Sequence, residues 1–220
     1  MQKYRPFLII ALVLAIAIIG GVLLLRSSRK QSFASPVPSP NAVSKTPIIP
    51  AQAVVTIEEF GDYQCSPCGE LHPFLKQLKR ELGPNLNFVF RNLPLTTIHK
   101  NSLAAAQAAE AARMQNRFWE MHDRLYENQE LWGDDVNPRT IFLRWAGELG
   151  LDTARFAQDL EGKQVKLRIE ADQDAATGLG INGTPTVLVN GRQLRPEVTN
   201  AEGIRAAIQF VTSRKPSPQP

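Results

Sequence analysis

The hydrophobic pattern divides the chain into regions of different character. Residues 7–25 are all apolar or glycine, and a run of this length can cross a bilayer as one helix. Residues 26–50 contain five prolines among serines and few apolar residues, which is typical of an extended, solvated linker. The pattern therefore predicts an N-terminal tail at 1–6, a single transmembrane anchor and a Pro/Ser-rich linker ahead of one folded domain at 51–214.

A strand, a helix and a second strand are predicted at the start of this domain. Residues 54–60 are rich in β-branched side chains, and residues 86–91 form a second strand pattern after the stop at Gly83-Pro84-Asn85. Apolar residues between the strands share one face of a helix, namely Leu71, Phe74, Leu75, Leu78 and Leu82.

A block of helices follows, as an insertion at about 97–180. Its helical patterns are interrupted near Asn116, residues 133–138, Gly150 and Gly162. Five large apolar residues of this block are expected to form its core, namely Phe118, Trp119, Leu125, Phe142 and Trp145.

The end of the chain returns to strand patterns. Residues 186–190 are expected to form a third strand, and Asn190-Gly191 is typical of a tight hairpin turn. A helix at 201–212 closes the domain before a flexible tail at 215–220. The predicted order is β-α-β, a helical block and then β-β-α, which indicates an α/β fold.

Charge is distributed unevenly, which argues against nucleic acid as a partner. The net charge of +4 arises because all six charged residues before position 46 are basic, whereas the rest carries 19 basic and 21 acidic residues. Basic residues flank the apolar run on both sides, so their positions do not decide its orientation. The apolar run is longer than that of a secretory signal peptide, which favours an uncleaved single-pass anchor in the cell membrane over a cleaved signal peptide. A short tail before a large domain favours the extracytoplasmic side for the domain.

The two cysteines of the chain lie together in Cys65-Ser66-Pro67-Cys68. This spacing fits either a metal site or a redox dithiol. A structural zinc ion needs four ligands, and the sequence has no second cysteine pair. His72 is interpreted as a histidine on the helix surface, and His99 and His122 are scattered. We therefore expect no metal and no cofactor.

The redox interpretation gains from the position of the motif between a strand and a helix. Cys65 is expected at the helix N-cap, where the macrodipole and free backbone N–H groups lower the pKa of a thiol. Pro67 has no N–H, which leaves the backbone of Cys68 to donate to the Cys65 sulfur. Cys65 is thus predicted to be the exposed nucleophile and Cys68 the resolving thiol.

Three segments, in this order, resemble the DsbA-like thiol:disulfide oxidoreductases, which have a thioredoxin-like fold with an inserted α-helical domain. They are residues 59–68, residues 118–123, and Gly183-Thr184-Pro185-Thr186 with the strand after it. The resemblance implies that Thr184-Pro185 is a cis peptide beside the cysteines. It also implies that Pro185 belongs to the catalytic site and that the Thr184 backbone pairs with substrate like an added strand.

Glu59 matches an acidic position of that family. It alternates onto the same strand face as Val55 and Ile57, so it is interpreted as a buried carboxylate that relays protons during exchange. The alternative is a surface glutamate at the end of a strand.

Three functions are compatible with these features. The first is an oxidase that forms disulfides in thiol-containing exported proteins and is reoxidised by a membrane partner of the DsbB or vitamin-K-epoxide-reductase type, as the resemblance implies. The second is an extracytoplasmic reductase or isomerase, because DsbA oxidases carry histidine between the cysteines whereas this chain has Ser66-Pro67. The third is a thioredoxin-fold copper chaperone, although that class uses a wider cysteine spacing. A monomer is expected.

Overall fold

The sheet is built from strands that are distant in sequence. The computed structural model describes residues 55–213. Strand β1 (Val55–Gly61) lies between β2 (Leu86–Asn92), to which it is parallel, and β3 (Thr186–Val189), to which it is antiparallel. A short strand, β4 (Arg192–Gln193), pairs with β3 and completes the order β2-β1-β3-β4.

Helices cover both faces of this sheet. Helix α1 (Ser66–Leu82) connects β1 to β2, and a six-helix insertion follows β2. The insertion contains α2 (Ser102–Arg113), α3 (Phe118–Glu127), α4 (Gln129–Trp132), α5 (Pro138–Glu148), α6 (Thr153–Asp159) and α7 (Lys163–Gly178). Helix α8 (Ala201–Ser213) ends the described part of the chain. The predicted order of elements is confirmed.

Breaks between elements lie where the sequence predicts them. Asn116 and Gly150 have positive φ angles of 61° and 73° and separate helices of the insertion. Asn190 and Gly191, at φ 48° and 76°, form the turn between β3 and β4. Glycine and asparagine tolerate this left-handed region better than other residues.

One face of the sheet packs against α1 and α8. Its buried residues include Ile57, Leu75, Val187 and Ile204. Leu71 and Leu78 are also buried there, and Phe74 and Leu82 are partly buried, so the predicted apolar face of α1 is confirmed. The opposite face packs against α7 through a smaller cluster of buried residues, namely Phe60, Leu93, Ala176, Ile181 and Leu188.

The insertion has a core of its own, continuous with the cysteines. Phe118, Leu125, Phe142 and Trp145 are buried as predicted, and Trp119 is partly buried against them. The same cluster contains Cys65, Cys68, Tyr63 and Tyr126, as well as six alanines of α2.

Buried ion pairs join the edge of the sheet to the insertion. Arg91 on β2 donates to Glu58 at 2.6 Å and to Asp172 of α7 at 3.1 Å. Asn92 donates through its side chain to Glu110 of α2 at 2.9 Å and to Asp172 at 3.1 Å. This network fixes α2 and α7 against β2.

No helix within residues 55–213 is both long enough and apolar enough to cross a membrane. The predicted tail at 1–6, anchor at 7–25, linker at 26–50 and C-terminal tail at 215–220 all lie outside the described residues.

Candidate active site

Cys65 lies at the N-terminus of α1, as predicted. Its backbone is extended, with φ −74° and ψ 118°, and it is the N-cap residue. Its N–H donates to the Asp62 carbonyl at 3.1 Å, while its own carbonyl accepts from Gly69 at 3.1 Å. The first residue pair of the helix is Ser66-Pro67, where the missing N–H of proline costs nothing. Both thiols are free.

The loop before β3 comes within contact distance of Cys65. The Thr184–Pro185 peptide is cis, as the resemblance implies. The Cys65 Sγ lies 3.5 Å from the Thr184 carbonyl oxygen, to which the thiol donates. Cys65 is only 5% exposed, so the prediction that its side chain is exposed is wrong. The carbonyl group of Thr184 lies against the sulfur.

The two thiols differ in their pKa values. A hydrogen bond from the Cys68 thiol is the main cause that lowers the pKa of Cys65 to about 6, against the opposing effect of burial. The backbone N–H of Cys68 also stabilises the Cys65 thiolate. Burial, and next the hydrogen bond given to Cys65, raise the pKa of Cys68 well above its ordinary value. Near neutral pH, Cys65 is therefore the thiolate and Cys68 the thiol.

Glu59 is buried beside this pair, and the alternative of a surface glutamate is wrong. It is 1% exposed and lies opposite Phe90 of β2 and Val187 of β3. Burial, and to a lesser extent the charge of Cys65, raise the pKa of Glu59 to about 8. A carboxyl group with this pKa can both give and take a proton near neutral pH.

The turn that carries Cys65 is held by residues that the sequence interpretation missed. Asp62 is 1% exposed, and its carboxylate accepts from Gln64 N–H, Leu95 N–H and His99 Nδ1, each at 2.8 Å. The Gln64 side chain accepts from Asn101 N–H and donates to the Gly133 carbonyl, both at 2.8 Å.

Gln129 of α4 adds a second attachment. Its amide donates to the carbonyls of Tyr63 at 2.7 Å and Cys65 at 3.1 Å. The only signal in the sequence was the placement of polar Asp62 and Gln64 between a buried strand and the cysteines. Apart from the bond between Asp62 and Gln64, their partners lie 33 or more positions away.

The interpretation of His72 as a surface histidine is wrong. It is 4% exposed because α3 packs over this part of α1, bringing the rings of His122 and Tyr126 to within 5.2 Å and 5.1 Å of it. His122 is 2% exposed, and its Nδ1 lies 3.0 Å from the Tyr63 hydroxyl. Burial lowers the pKa of both histidines, so they are neutral at pH 7.

Among the described residues, one group has the composition of a metal site. Ligand atoms of His72, His122 and Asp123 lie within 4.8 Å of one another. However, Lys76 Nζ already lies 2.8 Å from Asp123 Oδ2, and Lys79 and Arg80 line the adjoining pocket. These positive charges oppose a bound cation, so we do not assign a metal to this group.

Solved structures with a similar fold include two described as oxidoreductases. A thioredoxin-like oxidoreductase from Silicibacter pomeroyi is 29% identical and superposes with a TM-score of 0.62 over 76% of this chain and 92% of its own. BdbD from Bacillus subtilis is 22% identical and superposes with a TM-score of 0.67 over 79% of this chain and 96% of its own. DsbA from Xylella fastidiosa is 19% identical and superposes with a TM-score of 0.62 over 74% of this chain and 87% of its own. The last two likenesses establish the fold.

Sequence relatives among curated proteins are much longer than this chain. The Na(+)/H(+) antiporter NhaA 1 of Salinispora arenicola is 39% identical over 159 residues, which are 72% of this chain and 23% of the antiporter. The NhaA 3 antiporter of Salinispora tropica is 40% identical over 167 residues, 75% and 24% respectively. The chain thus spans about a quarter of the length of these relatives.

A family profile described as thioredoxin matches residues 50–209, which include the whole site. The matched range begins before β1 and ends within α8. The chain therefore belongs to the thioredoxin family.

Proposed function

We propose that this protein is a DsbA-like thiol:disulfide oxidoreductase that forms disulfides in thiol-containing exported proteins. The observation that carries the proposal is the contrast between the two thiols, since Cys65 has a pKa of about 6 and the pKa of Cys68 is raised by burial. A stabilised Cys65 thiolate stabilises the reduced enzyme. The disulfide form is then the stronger oxidant, by about 30 mV for each 1.4 kcal/mol.

Oxidation of a substrate dithiol follows from this geometry in two exchanges. A substrate thiolate attacks Cys65 Sγ, the Cys65–Cys68 bond breaks, and Cys68 leaves as a thiolate that takes a proton from Glu59. The second substrate thiolate then attacks the substrate sulfur of the mixed disulfide, and Cys65 leaves as a thiolate. The substrate loses two electrons and the enzyme gains them.

Substrate is expected to bind along the loop that contacts Cys65. The backbone of Thr184, next to the cis Pro185, would pair with an extended substrate segment as an added strand. This arrangement selects an unfolded or flexible chain with an accessible cysteine. We propose that the enzyme acts as a monomer and does not bind nucleic acid.

The proposed location is the outer side of the cell membrane, with the apolar segment at 7–25 as the anchor. A membrane reoxidase of the DsbB or vitamin-K-epoxide-reductase type would regenerate the disulfide. The similarity to a part of ion antiporters, which work in membranes, supports a domain that acts beside a bilayer.

A reductase or isomerase is the second candidate, and one observation favours it. Ser66-Pro67 adds no positive charge near Cys65, while burial, and to a lesser extent the negative charge of Asp62, act to raise the pKa of Cys65. The thiolate is thus stabilised by hydrogen bonds and the helix N-terminus alone.

The redox potential separates the two candidates. We would equilibrate the full chain in detergent with glutathione buffers and follow the dithiol fraction by alkylation. An oxidase predicts a potential well above that of thioredoxin, which is about −270 mV, whereas a value near thioredoxin's would exclude it. A topology reporter fused after Pro220 tests the location, because a cytoplasmic C-terminus contradicts the proposed compartment.

A further inference from the structure

Two buried polar atoms next to the cysteines have no protein partner. Neither Glu59 Oε1 nor the Tyr126 hydroxyl makes a hydrogen bond to any group within residues 55–213. Glu59 is 1% exposed and Tyr126 is 5% exposed. Most buried polar groups are satisfied by protein or by ordered water, so both atoms are expected to have a partner such as a bound water.

The fold brings these two atoms to the same face of β1. Glu59 and Gly61 are two positions apart on the strand, so their side-chain positions share a face and are about 7 Å apart. A Cβ on Gly61 would lie 2.7 Å from the Tyr126 hydroxyl. The hydroxyl of Tyr126 therefore occupies the space of a missing side chain, next to Glu59. Cys68 belongs to the same buried cluster as Tyr126.

Tyr126 also borders a groove at the surface of the domain. A groove of about 440 Å³ opens beside the first turn of α1, and its lining includes Ser66, Gly69 and Tyr126. A buried water needs two to four polar partners. The Glu59 carboxyl and the Tyr126 hydroxyl supply two.

We propose that Tyr126 and Glu59 share a buried water and that Tyr126 is a positioning residue for proton exchange between Glu59 and Cys68. When the Cys65–Cys68 bond breaks, Cys68 leaves with the electron pair and the Glu59 carboxyl proton passes to it through the water. In the reverse exchange the Glu59 carboxylate takes the proton back. The inference rests on thiol–disulfide exchange at Cys65 and Cys68 and holds for either net direction.

Several titratable groups face this place from the packed elements, namely Cys65, Cys68 and His72 of α1, Asp62 and Tyr63 of the turn, and His122 of α3. Burial lowers the pKa of His72 and His122 and raises the pKa of Tyr63 and Tyr126 well above the usual range. Glu59, with a pKa of about 8, and Cys65, with a pKa of about 6, are left to titrate near neutral pH.

Tyr126→Phe in the full chain tests the inference. Loss of the hydroxyl removes a donor that stabilises the Glu59 carboxylate through the water. We therefore expect the pKa of Glu59, followed by the carboxyl ¹³C shift, to rise by about one unit. Oxidation of a dithiol peptide at pH 7 should slow by about three- to tenfold, and the alkaline limb of its pH profile should move upward by the same unit.

Tyr63→Phe is the matched control, because its hydroxyl already pairs with His122. It should lower stability and leave both the Glu59 titration and the pH profile in place. In a Glu59→Gln background, Tyr126→Phe should have no further effect on rate.

An unchanged pKa of Glu59 in Tyr126→Phe would overturn the shared water. The same would follow if Tyr126→Phe slowed the reaction equally in the wild-type and the Glu59→Gln backgrounds. The titration needs no turnover and so tests the water by itself. Failure of the wild-type chain to oxidise the peptide would overturn only the proposed oxidase function.

Discussion

Replacing Cys68 with alanine tests what lowers the pKa of Cys65. The hydrogen bond from the Cys68 thiol is the largest contribution to a pKa of about 6, against an ordinary value of 9.0. Alanine removes this donor but keeps the backbone N–H at position 68. We expect the pKa of Cys65 to rise by about one to two units, to about 7–8, since a hydrogen bond to a charged group contributes roughly 1.5–3 kcal/mol.

The change is large enough to see at neutral pH. The thiolate fraction of Cys65 at pH 7 should fall from about nine tenths to between about one half and one tenth. Ultraviolet absorbance of the thiolate and the rate of iodoacetamide alkylation, both against pH, measure this fraction. Cys68→Ser is the control, because its hydroxyl still donates and should keep the pKa low. A Cys65 pKa that stays near 6 in Cys68→Ala would refute the role of the thiol and assign the effect to the helix N-terminus.

Three further changes test the buried groups, each by urea unfolding. Because the pKa of Glu59 is raised to about 8, its contribution to the stability of the reduced protein is greatest below pH 4.5 and is lost as pH rises through about 8. Glu59→Leu should make the free energy of unfolding less dependent on pH and raise it by about 3–5 kcal/mol above pH 8. The same pH dependence in the variant and the wild type would contradict this role of Glu59. Arg91→Met removes the positive charge that pairs with buried Glu58 and Asp172, so it should lower the free energy of unfolding by about 3–5 kcal/mol. Arg205→Met, at an exposed pair with Glu81, should have a much smaller effect, and equal losses in the two variants would contradict a special role for the buried pairs. Gly61→Ala should lower the free energy of unfolding by about 1–3 kcal/mol because the added Cβ would lie 2.5 Å from the Phe90 ring. In Gly147→Ala the Cβ would lie 3.6 Å from Thr153, so this control should be neutral or stabilising. An unchanged stability in Gly61→Ala would show that the Phe90 ring can move.

Periodicity was sufficient to predict the elements and their order. Strand and helix patterns are local, with periods of 2 and 3.6 residues, so β1, α1 and the helices of the insertion were recognisable from neighbouring positions. The breaks at Asn116 and Gly150 were equally local, because they depend on one residue's tolerance of a positive φ. Among the site residues, Cys65 and Cys68 follow from the motif and Glu59 from strand alternation. Their chemical roles stay predictions.

Exposure and support of the site depended on contacts between distant positions. His72 is buried by α3, which lies about 50 residues further along, and the Cys65 sulfur lies against a carbonyl group 119 residues away. Asp62 and Gln64 act through partners in the insertion, and no local pattern indicates which atoms they bind. The same is true of Arg91, whose charge is balanced from β1 and α7 at once.

The attachment of the cysteine turn to the insertion has a consequence for engineering. Gln129 donates to the carbonyls of Tyr63 and Cys65. Gln64 is hydrogen-bonded to Asn101 and Gly133. The turn that carries Cys65 is therefore joined to the helical insertion by several hydrogen bonds. Grafting Cys65-Ser66-Pro67-Cys68 onto a minimal thioredoxin scaffold would transfer the four residues without the hydrogen bonds that hold them in place. The functional module is the turn together with the insertion, and a chimera that exchanges this whole unit is the smallest one expected to carry its redox properties with it.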